Sequence, residues 1–148
     1  MPRMTPPAQR YEFGVRPGDP TPLRPLSRWC ADRAREHQLA PGVAHDLDLC
    51  LHEAVSNIFR HGCADGRGHS VVVSVLAEPA RVELVVEDDG PRFDPTGVPV
   101  LPTPRTLAEA ADGGRGIAMM RAMAREMRYE FVNGRNRLTL VLDSPARG

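Results

Sequence analysis

Lysine is missing from this chain: all 19 basic residues among its 148 are arginine. Schiff-base chemistry and the lysine of a P-loop are therefore excluded. Cysteine is scarce. Cys30, Cys50 and Cys63 form no C-x-x-C pair, so neither a disulfide framework nor a cysteine-based zinc site is indicated. His45, His52, His61 and His69 share no ligand spacing with them. Net charge is also absent, because 19 acidic residues balance the arginines. Nothing then marks a surface for nucleic acid or an anionic membrane. No apolar run approaches a membrane span and the N-terminus has no apolar signal core, so the expected location is the cytoplasm. What is present is ordinary: 41% hydrophobic and 26% charged residues, in a length that suits one domain.

The proline-rich residues 1–10 are expected to be disordered, 11–143 to form the domain and 144–148 a tail. Tyr11 to Val15 alternates as a strand. Asp19 to Thr21 offers a cap to a helix through Leu26, Trp29, Cys30 and Ala34. A long helix follows, with Val43, Leu47, Leu51, Val55 and Ile58 on one face and Gly62 closing it at C′. Val71 to Val75 and Arg81 to Glu87 read as a hairpin. From Asp88 to about Arg105, five prolines and two glycines break regular structure, and a loop of that length is functional or mobile. Leu107 to Ala111 suits a helical turn. Gly113-Gly114-Arg115-Gly116 opens a helix with Ile117, Met120, Met123, Ala124 and Met127 on its buried side. Asn133-Gly134 marks a last hairpin. The order β-α-α-β-β-loop-α-β-β predicts an α+β fold: two layers, with helices on one face of a mixed, mostly antiparallel sheet.

Three clusters can carry chemistry. Glu53, Asn57 and His61 are spaced four apart on the long helix. At about 100° per residue they drift only about 40° per step, so they form one polar stripe. Alone, that stripe reads equally well as a solvated helix edge. Asp88-Asp89-Gly90 ends a strand. An acid there can accept from an exocyclic amine, and the glycine lets backbone approach a flat ring. By itself the same triplet is most often a simple turn. Gly114-Arg115-Gly116 at a helix start can aim N–H groups at an anion, although a lone G-x-G is weak evidence. It is no Rossmann fingerprint, because a loop rather than a strand precedes it. His52-Glu53 lacks the second histidine of a zinc protease, and Ser56 lacks the glycines of a nucleophile elbow.

Together and in this order, E-x-x-x-N-x-x-x-H-G, D-x-G before F-D-P, and G-G-R-G-I resemble the N, G1 and G2 boxes of the histidine-kinase-type ATPase superfamily, the Bergerat fold shared with gyrase and Hsp90. Among its members, the chain most resembles the stand-alone bacterial anti-sigma factors that act as serine-protein kinases. The resemblance runs from about residue 41 to 142. It implies ATP and Mg²⁺ as cofactors. Asp88 would accept from the adenine amine and Gly90 would let the ring lie close. Asn57 would hold Mg²⁺ and Glu53 would orient or deprotonate the attacking hydroxyl. Gly114 and Gly116 would offer amides to the phosphates, with Arg115 a candidate cation. The implied partners are a sigma factor and an anti-sigma-antagonist protein. A homodimer is implied too, with the Trp29 helix and the N-terminal strand as the surfaces to inspect. Ile117 departs from the commoner leucine, and the Gly90 to Gly113 loop is short. His61 reads as structural or capping. The competing readings are a nucleotide-binding module that only sequesters a partner, and an α+β binding protein without nucleotide.

Overall fold

A computed structural model describes residues 9–62, 65–97 and 114–145. It confirms the α+β reading and shows why the elements fall where they do. Strand β1 (Gln9–Val15) leads into α1 (Leu23–Glu36) and α2 (Pro41–Asn57). A single π-helical turn (Ile58–Gly62) continues α2. Then come β2 (His69–Glu78), β3 (Ala80–Asp88), a 3₁₀ turn (Pro95–Gly97), α3 (Gly114–Met123), β4 (Glu126–Val132) and β5 (Arg135–Ser144).

The five strands lie in the order β1-β2-β3-β5-β4. The sheet was expected to be mixed, but all four described pairings are antiparallel. The reason is the crossover through α3. It delivers β4 parallel to β3 but one place too far, and the Asn133-Gly134 hairpin fills the gap with β5. Both turn residues have positive φ, 53° and 75°, as a type I′ turn requires.

The helices cover one sheet face. Val73, Val86 and Leu138 stand in one cross-strand row, and Val75, Leu84 and Leu140 in the next. Against them pack Leu26 and Cys30 of α1, Leu47, Leu51, Ala54 and Val55 of α2, and Ile117 and Met120 of α3, all buried. Each such aliphatic side chain contributes roughly 1.5–3 kcal/mol of burial. The other face carries charge pairs such as Arg137–Glu87 and Arg128–Glu83. The same core also holds Asp88 and Asn136, which continue the inward rows as polar residues.

Several boundaries differ from the sequence pattern. Asp19 caps a turn, accepting from Thr21 N at 3.0 Å and Thr21 Oγ at 2.7 Å, and α1 starts later at Leu23. Gly62 is not a C′ residue, because the π turn runs through it. Helix α3 ends at Met123, so Ala124 follows it and Met127 belongs to β4, opposite Leu140. The expected turn at 107–111, Gly113, and residues 1–8 of the segment expected to be disordered lie outside the described residues, whereas Gln9 and Arg10 of that segment are in β1. No helix among the described residues is long and apolar enough to cross a membrane.

Candidate functional site

The C-terminal half of α2 carries the first part of the site. Asn57 closes the helix with 5% of its surface exposed. Its Oδ1 and Nδ2 are both buried and neither has a hydrogen-bond partner among the described groups. Leaving a buried polar group unbonded costs about 1–3 kcal/mol, so an unpaired carboxamide lining a cleft is a candidate for an outside partner, water included. The π turn begins at the next residue. Such turns cluster at functional sites, and this one takes His61 off the four-residue spacing that set the stripe.

Glu53 lies one turn before Asn57, against the start of α3. A methyl group on Gly116 would run into its carboxylate. Gly116 is therefore glycine for close approach: it lets the carboxylate sit beside the N-terminal turn of α3, where N–H groups point outward. Gly114 is the first residue of α3. The side chain of Arg115 lies outside what the structure describes.

The second part of the site is built from β3 and β5. Asp88 ends β3 on the helix-facing side and is 6% exposed. Its Oδ1 accepts from Gly90 N at 2.9 Å and from Asn136 Nδ2 at 3.0 Å. Burial pushes the Asp88 carboxyl above its ordinary value, and these two donors pull it back. Asn136 was not singled out from the sequence. It faces Asp88 directly in the β3–β5 register and makes four further bonds. Nδ2 donates to Gly90 O at 3.2 Å and Pro91 O at 2.9 Å, and Oδ1 accepts from Phe93 N at 3.0 Å and Tyr129 OH at 2.5 Å. One signal could have found it. In Asn136-Arg137-Leu138-Thr139-Leu140 it occupies an inward position of an otherwise apolar alternation.

The segment after Gly90 closes a third side. Phe93 stacks on His61, with ring centroids 4.1 Å apart and planes 14° from parallel. His61 is thus a wall of the site rather than a cap. Burial, with help from Arg60, holds the pKa of its imidazole below the usual histidine value. Asp94 accepts from Thr96 N and Oγ, and Arg121 of α3 donates to Thr96 O. The first part of the expected mobile loop is therefore tied down through Gly97, and residues 98–113 lie outside the described structure. Arg121, committed to this contact, is a strut.

Together these residues line a narrow cleft of about 30 Å³, bordered by Asn57, Asp88, Asn136, Tyr129, Phe93 and the apolar side chains of Ala54, Val86 and Leu138. Its mix of apolar walls and a few convergent polar groups is that of a small-molecule site. The sequence-predicted residues Asn57 and Asp88 share it, and Glu53 and Gly116 meet at its flank. Asn57 suits a hard cation: a carboxamide oxygen is the right donor, and it has no protein partner to give up. One such oxygen makes a metal site only with ligand oxygens. A nucleotide would provide those oxygens.

A sheet with helices on one face, an acid-ended central strand and a glycine-opened helix beside an α2 carboxylate define a known class. Residues 17–142 match the family model for the histidine kinase-like ATPase domain, and the chain belongs to that family. Among proteins of known name, it is similar to the serine/threonine-protein kinase BtrW of Bordetella bronchiseptica, 29% identical over 116 residues. That match covers 78% of this chain and 82% of BtrW. It is also similar to the serine-protein kinase RsbW of Bacillus pumilus, 28% identical over 95 residues, covering 60% of this chain and 59% of RsbW. Of solved structures, the Acinetobacter baumannii histidine kinase AdeS aligns with a TM-score of 0.47 at 16% identity, over 95% of this chain and 70% of that one.

Proposed function

We propose that this chain binds ATP with Mg²⁺ and transfers its γ-phosphate to a serine or threonine of a partner protein. The observation that carries the reading is the Glu53–Gly116 contact beside the unpaired carboxamide of Asn57. It sets a carboxylate with no hydrogen-bond partner among the described residues at a helix N-terminus, one helical turn from an oxygen donor likewise unpaired among them. A module that only binds nucleotide needs the donor but not the carboxylate. The similar proteins BtrW and RsbW are both named as protein kinases, which points the same way.

In this reading Asp88 accepts from the adenine amine through Oδ2, since the protein already occupies Oδ1. Val86, Leu138 and Ala54 offer apolar surface to the ring. Asn57 holds Mg²⁺ through Oδ1, and the metal supplies charge neutralisation for the phosphates. Amides of Gly114 to Gly116 add to that neutralisation. Glu53 orients the acceptor hydroxyl and takes its proton. Phosphoryl transfer needs positioning and charge stabilisation above all, and these parts provide both without lysine. By the family resemblance, the acceptor is an anti-sigma-antagonist protein and the second partner a sigma factor, with the chain acting as a homodimer in the cytoplasm.

The test measures ATP affinity by calorimetry with and without Mg²⁺, then transfer from γ-labelled ATP to proteins captured from the host with ADP-loaded chain. Magnesium-dependent binding and one labelled acceptor, lost in Glu53→Ala, are expected. Binding without any transfer would favour the sequestering module. No ATP binding at millimolar concentration would remove both readings.

A further inference from the structure

The sheet has two edges, β1 and β4, and the sequence of β4 is complementary to itself. We infer that β4 pairs antiparallel with β4 of a second copy of this chain, about a twofold axis at Tyr129, joining two five-stranded sheets into one. The inference goes beyond the nucleotide reading and does not rest on it, because it uses the outer edge of β4 and not the cleft.

The backbone already presents the groups such a pairing needs. The Asn133-Gly134 turn joins Val132 to its partner Arg135, and a type I′ turn closes with a hydrogen bond between these flanking residues. Antiparallel ladders alternate, so Val132, Glu130, Arg128 and Glu126 turn their N–H and C=O groups toward β5. Met127, Tyr129 and Phe131 turn theirs outward, and among the described groups no backbone bond from another element occupies that row. An unpaired row of this kind is a template for another strand. With the axis at Tyr129, this residue exchanges a pair of bonds with Tyr129 of the second copy. Met127 does the same with Phe131 of that copy, once on each side of the axis.

Charge sets the register. Arg128 comes opposite Glu130 of the second copy, and Glu130 opposite its Arg128. Both pairs fall at non-hydrogen-bonded positions, where facing side chains stand closest. A two-residue slip one way would set Glu126 against Glu130 and Arg128 against its own copy. The opposite slip would set Glu130 against its own copy. Like charges directly opposite are destabilising, so only the register centred on Tyr129 is free of them. Within one chain Arg128 has only loose, exposed pairings, with Glu83 at 3.4 Å and Glu126 at 3.5 Å. Such surface pairs are worth little, which leaves the guanidinium available to the second copy. The same register covers the exposed apolar end of β4. Phe131, 40% exposed, comes opposite Met127, and Val132, 42% exposed, comes opposite the methylene stem of Glu126.

The experiment follows self-association of the full chain by sedimentation equilibrium, up to about 1 mM. Two paired seven-residue strands make less than a standard interface, so a dissociation constant on the order of 100 μM is expected. Arg128→Glu and Glu130→Arg each place like charges opposite one another at both symmetric positions, and each should weaken association by about 10-fold or more. Combining the two exchanges the charges and should restore association to within about 3-fold of wild type. A purely monomeric wild type overturns the inference. So does association that ignores the single reversals, as a dimer through the Trp29 helix and β1 would, or that the double exchange fails to restore. Hydrogen exchange on wild type decides independently of how the variants fold. The amides of Met127, Tyr129 and Phe131 should become protected as concentration rises, while those of Arg128, Glu130 and Val132 stay protected throughout. Outward amides that exchange at one rate across that range also overturn it.

Discussion

The two walls of the cleft treat their buried amides in opposite ways. Asn136 on β5 is 6% exposed and has five hydrogen-bond partners, its two N–H groups shared among three acceptors. Asn57 on α2 is 5% exposed and has none among the described groups. The same side chain, equally buried, is saturated on one wall and unpaired on the other. A saturated amide is part of the scaffold and holds a shape. An unpaired one is a standing cost, offset when water, an ion or a ligand binds. In the proposed function, the sheet wall is a preformed reader and the helix wall is the half that completes itself on binding.

Substitutions can break that contrast, and the largest effect belongs to the helix wall. Glu53→Gln is expected to lower phosphoryl transfer by about 10³-fold while leaving the ATP dissociation constant within about 2-fold, as for a lost general base. Single-turnover assays and calorimetry on the same preparation check it. Asp88→Asn on the sheet wall should weaken ATP by about 10–100-fold, the range for a hydrogen bond to a charged group. A fluorescent adenine nucleotide in competition with ATP measures this loss. Gly116→Ala should reduce transfer by roughly 10-fold, because the new methyl displaces the Glu53 carboxylate by a fraction of an ångström to an ångström. Circular dichroism should show the fold retained, since alanine is the better helix former.

The smallest effect lies beside the reader wall. His69 sits between Asp65 (Nε2 to Oδ1, 2.9 Å) and Asp89 (Nδ1 to Oδ1, 3.2 Å). The bond to Asp65, with Asp89 assisting, holds its pKa above the ordinary histidine value. The same bond lowers Asp65. A raised histidine stabilises the fold fully below its unfolded pKa of about 6.5, and the gain fades as pH rises through the folded value. A lowered aspartate contributes above about 3.9 and fades as the medium becomes more acidic. The melting gap between wild type and His69→Ala should therefore be widest near about pH 5–6 and narrow above about pH 8. A gap that grows with pH would contradict the pairing.

The helix wall was largely legible in the sequence, and the sheet wall only in part. Glu53 and Asn57 lie four apart, so helical spacing alone places them on one face. Gly114 and Gly116 are local to a helix start. Asp88 was legible as a strand end. Its partner Asn136 lies 48 residues away, and only the β3–β5 register brings the two together. The π turn stayed hidden because an apolar pattern does not distinguish four-residue from five-residue hydrogen bonding in a final turn. Met127 was misassigned for a related reason. Met120, Met123 and Met127 fit helical spacing, yet Met127 also fits the alternation of Met-Arg-Tyr-Glu in β4, and pairing with Leu140 decides for the strand. The prolines mark a break in regular structure and a functional or mobile loop, whereas its first residues are held by Asn136 and Arg121, contacts that composition does not reveal.

Thermal melting of wild type and Asn57→Ala, without ligand and with ATP in the presence and absence of Mg²⁺, tests the contrast most directly. If Asn57 waits for a ligand, Asn57→Ala should melt about 2–4 °C above wild type without ligand, having lost an unpaired buried amide worth about 1 kcal/mol. Wild type should then gain stability with ATP only when Mg²⁺ is present, by about 2.7 kcal/mol at a hundredfold excess over the dissociation constant, and the variant should not respond to the metal. An Asn57→Ala protein that melts lower than wild type and still gains from Mg²⁺ with ATP would show that Asn57 belongs to the scaffold, and the account of the helix wall would fall.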